Sequence, residues 1–219
     1  MVDLDRINTF IHAFSEEENG AIEELYREAV RDGVPVIRPA AKSFLKVMLD
    51  MKKPMSALEI GAAVGYSALY TISHMPGGSH LSTIERDELM IKRAKENISH
   101  FGMADRITLY EGDALEVLKT LPDRSYDYIF VDAAKGQYIN FLPDVKRLAL
   151  PGTLIITDNI FQDGTIFESR YEVERTDRTI HERIREYLVA LKNDDELDTS
   201  IIPVGDGMTV SIYNGRLSS

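Results

Sequence analysis

Apolar positions along the chain follow two periods. Before residue 53 they recur every three to four residues. Ile22, Leu25, Tyr26 and Ala29 share one face of the segment 17–32, with Glu and Arg between them. Helices are predicted over 3–14, 17–32 and about 40–51, the third carrying Phe44, Leu45, Val47, Met48 and Leu49. Asp32-Gly33 closes the second helix, and Val34-Pro35-Val36-Ile37-Arg38-Pro39 reads as a stiff connector. These helices are expected either to cap one edge of a sheet or to form a lid or a dimer contact. From residue 56 the pattern changes. β-rich apolar runs at 56–60, 80–84, 107–111, 126–132 and 153–158 alternate with helical stretches near 66–75, 87–100, 114–120 and 137–148. Such alternation predicts an α/β fold, a parallel sheet with helices on both faces. A helix from Thr176 to Leu191, with Ile180, Ile184, Leu188 and Leu191 on one stripe, precedes two short strands at 199–204 and 208–213. Gly205-Asp206-Gly207 joins these strands as a hairpin, so the last strand is predicted to run antiparallel.

Composition narrows the class. At 219 residues, without repeats or low-complexity tracts, the chain suits one domain over 1–219, a helical cap over 1–52 and a sheet core over 53–219. There is no cysteine, which excludes disulfides and thiolate metal sites, so any metal would sit on oxygen or histidine. The acidic start Met1-Val2-Asp3-Leu4-Asp5 does not read as a secretory signal. No apolar run approaches the ~18 residues of a membrane span. A cytoplasmic protein with no membrane partner is the expectation. The formal net charge of −11 counts against a broad nucleic-acid surface, though not against a small local one.

Candidate chemistry begins at Leu58-Glu59-Ile60-Gly61-Ala62-Ala63-Val64-Gly65-Tyr66-Ser67. An apolar run enters a glycine turn and an amphipathic segment follows, which is where an open α/β sheet binds its ligand. A Walker A loop needs Lys and Ser/Thr after its last glycine, and here Tyr66 follows Gly65. A dinucleotide loop needs G-x-G-x-x-G, and here the spacing is Gly61-x-x-x-Gly65. The remaining reading is S-adenosylmethionine, with Gly61 and Gly65 letting the backbone lie against its methionine part; a plain packing turn is the alternative. Glu85 ends the second strand, where a carboxylate can accept both ribose hydroxyls or simply cap a helix. Gly112-Asp113-Ala114 ends the third, where Asp113 could face an adenine edge or N-cap the next helix.

A second constellation lies further on. The fourth strand ends in Asp132 and the fifth in Asp158-Asn159. Neighbouring strands would put the two carboxylates roughly 5 Å apart in the strand-to-strand direction. Carboxylates that close repel unless a cation or proton separates them. Two Asp and the Asn159 amide make a hard oxygen set that suits Mg²⁺, Mn²⁺ or Ca²⁺ and not zinc. Helix or turn caps are the alternative. Lys135 follows Asp132 by three residues; a neighbouring cation would lower its pKa and suit it to act as a base. Tyr138 is either a substrate wall or helix packing.

Together, the loop Glu59–Ser67, the run Val131-Asp132-Ala133-Ala134-Lys135-Gly136-Gln137-Tyr138, Thr157-Asp158-Asn159 and the turn Pro203-Val204-Gly205-Asp206-Gly207 resemble the cation-dependent class I O-methyltransferases, the catechol and caffeoyl-CoA group. Within that group the chain is most similar to bacterial tRNA 5-hydroxyuridine methyltransferases, whose Val-Pro connector matches Val34-Pro35-Val36-Ile37. The resemblance implies a Rossmann-like seven-stranded sheet with a reversed last strand, and a homodimer. It implies S-adenosylmethionine against Ile37, Ser67, Glu85, Asp113 and Asp132, with Glu59, Gly61, Gly65, Gly112 and Ala114 in the same binding motifs. It implies a divalent cation on Asp132, Asp158 and Asn159, with Lys135 at the base position and Asp132 beside it.

The segment Phe161–Arg185 matches no substrate motif. Between Glu168 and Arg185 it carries five arginines and five acidic residues. Arg170, Arg175, Arg178, Arg183 and Arg185 could meet tRNA phosphates, or the stretch could be a solvated helix face. The expected activity is methylation of 5-hydroxyuridine in tRNA; the alternatives are a small catechol or phenol as acceptor, a non-catalytic binding protein, and a dehydrogenase.

Overall fold

The computed structural model describes residues 4–14 and 20–215. The helix starts expected at residue 3 and at residues 17–19 lie outside these. Within the described residues, eight α-helices and seven strands follow in order: α1 (Leu4–Phe14), α2 (Ala21–Arg31), α3 (Pro39–Lys52), β1 (Ser56–Ile60), α4 (Tyr66–Ser73), β2 (His80–Glu85), α5 (Glu88–His100), β3 (Ile107–Glu111), α6 (Ala114–Thr120), β4 (Tyr126–Val131), α7 (Tyr138–Leu148), β5 (Ala149–Thr157), α8 (Arg178–Asn193), β6 (Leu197–Ile202) and β7 (Met208–Tyr213). The strands form one sheet in the order β3-β2-β1-β4-β5-β7-β6. β7 pairs antiparallel with both β5 and β6, and the other pairs are parallel. The mostly parallel sheet with a reversed last strand is therefore as the sequence predicts.

Local chemistry sets the helix ends. Arg38 is extended and Pro39 occupies the first turn of α3, where its missing N–H costs nothing. Lys53 closes α3 in the left-handed region just before Pro54. Asp87 caps α5 by accepting from the backbone N–H groups of Leu89 and Met90.

Strand side chains alternate between two cores. Ala57, Leu81, Phe130 and Ile156 join α2, α3 and α4 on one face. Leu58, Ile60, Ile129, Val131 and Ile155 pack with α7 and α8 on the other. Leu25, Ala29, Leu45 and Leu49 belong to the first core, so α2 and α3 cover a face of the sheet, where capping of an edge was one expectation. Val47, expected to be apolar packing, is exposed, and Lys42 is buried in its stead. Lys42 is accommodated because its ammonium pairs with Glu23 at 2.8 Å and lies 5.2 Å from the Tyr26 ring centroid. The fifth strand starts at Ala149, before the predicted 153, because Ala149 already pairs with Tyr126.

Candidate active site

β1 and β4 are adjacent at the centre of the sheet, where the strand order reverses, and their carboxyl ends open a cleft of about 670 Å³. That volume fits a small-molecule or nucleoside ligand. Its walls bring together the strand ends named from the sequence. Ile37, Gly61, Ser67, Glu85, Gly112, Asp113, Ala114, Asp132, Lys135 and Asn159 all line it. The connector 32–37 forms one side, held to α5 by the Arg93–Asp32 ion pair at 2.8 Å.

Gly61 has a more specific reason than ligand approach. Its φ is +105°, and a Cβ there would overlap the backbone carbonyl of Asp132. The glycine loop and the end of β4 are thus in direct backbone contact. Gly65 is the residue before α4, at φ +82°. Glu85 braces the loop: Oε2 accepts from Ala63 N–H at 2.8 Å, and Oε1 accepts from Arg86 and Asp87 N–H. Asp113 N-caps α6, accepting from Leu115 N–H at 2.9 Å, and also lines the cleft, so capping does not take it out of the site. Glu59 lies beneath the cleft, 1% exposed, and accepts from the Thr83 hydroxyl. Burial pushes its carboxyl up to about 7, against the lowering effect of the Ser67 and Thr83 hydroxyls.

The β4–β5 register pairs Val131 with Thr157, so Asp132 and Asp158 leave the sheet side by side. Both carboxyls hold their protons more tightly than usual. For Asp132 the cause is burial, partly offset by Lys135, and its carboxyl is pushed up to about 6. For Asp158 burial comes first and the charge of Asp132 second. Asn159, at φ +58°, donates its backbone N–H to Asp158 Oδ1 at 2.7 Å. Among the described residues no group of three His, Cys, Asp or Glu side chains gathers to hold a metal. The candidate set here is one buried carboxylate, Asp158, one half-buried at the cleft wall, Asp132, and an amide. It is a hard oxygen set whose repulsion a divalent cation would relieve, so the residues fit such an ion.

Three substrate candidates stand elsewhere. Tyr138 is 1% exposed; it packs in the second core and its hydroxyl donates to the carbonyls of Asp158, at 3.1 Å, and Ala133. It is a strut under the site and does not line the cleft, which corrects the substrate-wall expectation in favour of packing. Arg170 and Arg175 do not line the cleft either. Arg170 pairs with Glu182 at 2.7 Å, Arg178 donates to the carbonyl of Val173, and Arg185 to those of Ile166 and Glu168. Three of the five arginines therefore fasten residues 166–173 to α8.

Sequence reasoning passed over Asp206 and Arg38. Asp206 is 2% exposed, and its Oδ2 lies 3.4 Å from Lys135 Nζ. Arg38 pairs with Asp163 at 2.6 Å in the loop after β5. The signal for Asp206 was an acid between two glycines, which reads as an ordinary turn until its burial is seen.

Comparison with known proteins agrees with this geometry. A model of the O-methyltransferase family matches residues 12–213. A catechol O-methyltransferase of Niastella koreensis is 26% identical over 219 aligned positions, covering 95% of this chain and 97% of that protein. A Staphylococcus aureus structure, provisionally described as a caffeoyl-CoA O-methyltransferase, superposes with a TM-score of 0.87 at 30% identity, covering 96% of this chain and all of the other. The SAH-bound methyltransferase PaMTH1 of Podospora anserina superposes with a TM-score of 0.83 at 26% identity, over 95% of this chain and 94% of the other. Because the family match runs from α1 to the end of β7 and takes in every strand end that lines the cleft, the chain belongs to the O-methyltransferase family.

Proposed function

We propose that the protein is a cation-dependent enzyme that moves a methyl group from S-adenosylmethionine to the 5-hydroxyl of 5-hydroxyuridine in tRNA. The observation that carries this reading is the pairing of Asp132, at the cleft wall, with the buried Asp158, beside Lys135 and one backbone contact away from the glycine loop. Asp132, Asp158 and Asn159 would hold Mg²⁺, or Mn²⁺ or Ca²⁺, which when bound supplies a Lewis acid for two adjacent substrate oxygens. S-adenosylmethionine supplies a methyl group on a sulfonium.

The remaining work falls to the chain. The glycine loop and Glu85 fix the donor in the cleft, and this positioning lowers the entropic part of the barrier. Lys135 Nζ, on the partly open side of the pair, takes the hydroxyl proton or steadies the oxyanion. The buried walls of Ile37 and Ala62 keep water from the reacting atoms. In 5-hydroxyuridine the 5-hydroxyl sits beside the 4-carbonyl, an adjacent-oxygen pair like that of a catechol. The tRNA assignment is supported by the resemblance of the Asp132–Tyr138 run, the 34–37 connector and the 203–207 turn to the tRNA enzymes. A small catechol or phenol is the second reading, favoured by the Niastella koreensis relative.

The test offers labelled S-adenosylmethionine and Mg²⁺ with hydroxyuridine-containing tRNA and with a catechol in parallel. Transfer to tRNA at the higher kcat/KM is expected. A preference for the catechol would replace the first reading with the second, and transfer to neither would remove both.

A further inference from the structure

The turn between β6 and β7 is bound to the site from several directions. Asp206 Oδ1 accepts from the backbone N–H of Asp163 at 2.8 Å, and Oδ2 faces Lys135 Nζ at 3.4 Å. The backbone carbonyl of Asp206 accepts from Phe161 N–H at 2.8 Å, and that of Gly207 from Ile160 N–H at 3.0 Å. A Cβ at Gly207, whose φ is +76°, would overlap the Phe161 ring, so turn and loop are in van der Waals contact. From the far side, Asn8 of α1 donates to Gly205 O at 2.7 Å and accepts from Gly205 N–H at 3.1 Å. The turn is therefore clamped between α1 and residues 160–163, which follow the Asp158–Asn159 pair directly.

We propose that Asp206 is a positioning residue for methyl transfer, one carboxylate that holds the Lys135 ammonium and the backbone of the 160–163 loop at once. Two features separate this from an ordinary turn acid. The carboxylate is buried, where an ionised group persists only with charged or N–H partners. Its two oxygens are also divided between a catalytic candidate and the loop after the candidate metal strand. Lysine has four rotatable methylenes, and a fixed anion on one side limits the directions its Nζ can take. Asp206 thereby sets where Nζ stands relative to Asp132 and Asp158. This inference rests on Lys135 acting in the proposed reaction as the ammonium that steadies the oxyanion.

The test is a double-mutant cycle of Asp206→Asn and Lys135→Ala, with donor affinity measured in each variant. The first change is nearly isosteric: the amide oxygen keeps an acceptor for Asp163 N–H while the charge toward Lys135 is lost. Expected is a kcat reduced by roughly tenfold or more, with the donor Kd unchanged within about twofold. In the K135A background D206N should then change kcat by less than about twofold, because the partner through which it acts is gone. An equal loss in both backgrounds would reduce Asp206 to a clamp of the loop and overturn the proposal. Should D206N not fold, the cycle is run with Asp206→Glu, which keeps the charge but displaces it, and the same criteria apply. A readout independent of turnover is reductive methylation of Lys135 followed by mass spectrometry. Release of the side chain predicts labelling several-fold faster in D206N than in the parent, and equal rates contradict the proposal even if neither acceptor is methylated.

Discussion

At the residue scale, the chemistry rests on acids whose environments differ sharply. Asp158 is 2% exposed and, in the proposed reaction, would hold the cation with Asp132. Asp158→Ala is expected to lower methyl transfer by roughly 100-fold or more and to abolish the response to added Mg²⁺, read by labelled transfer with and without chelator. Transfer that survives either change removes the cation from the mechanism. Glu59 makes a pH prediction. Its folded pKa, about 7, lies above the unfolded value of 4.5, so the folded state binds the proton more tightly. Its contribution favours the fold below about pH 4.5 and is lost as pH rises through about 7. For the ligand-free protein, stability should fall by about 2–3 kcal/mol between pH 5 and pH 8 from this group alone. Denaturant unfolding of Glu59→Gln should lack that component, and an identical pH slope in the variant would assign the loss to other groups. Gly61→Ala is expected to cost about 1–3 kcal/mol from the left-handed φ, before the overlap with the Asp132 carbonyl adds to it.

At the element scale, the clearest case is the segment between β5 and α8. Arg185 Nη2 donates to Ile166 O at 2.8 Å and to Glu168 O at 3.1 Å, tying the segment to the helix. Arg185→Ala should cost about 1–2 kcal/mol and open residues 166–178 to limited proteolysis while the sheet remains protected. Unchanged cleavage would show that Ile166 and Phe161 packing alone holds the segment. These arginines also mark where sequence reading stops. The strands, their order of alternation with helices and the reversed β7 were legible, because period and turn chemistry are local signals. The placing of Gly61, Glu85, Asp113, Asp132 and Asn159 around one cleft was legible too, because each stands at the carboxyl end of a strand. A side chain's partner is not a local property. For Arg170 and Arg185 the sequence left both phosphate contact and a solvated helix face open, and it could not show that Glu182 and the carbonyls of Ile166 and Glu168 are their partners within the chain. Tyr138 and Asp206 were open for the same reason: their partners are about 20 and 71 residues away in the chain.

For the whole molecule, the net charge of −11 bears on the acceptor. An acidic protein with several of its arginines already paired within the chain can neutralise few phosphates. If tRNA is the acceptor, log Kd plotted against log salt concentration should have a slope of magnitude about 3 or less. A steep slope would mean a basic surface formed by other residues. The contact between Gly61 and the Asp132 carbonyl has a further consequence at this scale. The glycine loop and the end of β4 share a wall, so on the proposed function a shift of the donor side presses on the cation side. By thermodynamic linkage, whatever factor the donor adds to cation affinity, the cation must return to donor affinity. Calorimetric titration of Mg²⁺ with and without S-adenosylhomocysteine, and the reverse titration, should give the same factor. In G61A, where that wall is pushed apart, the factor should fall toward one.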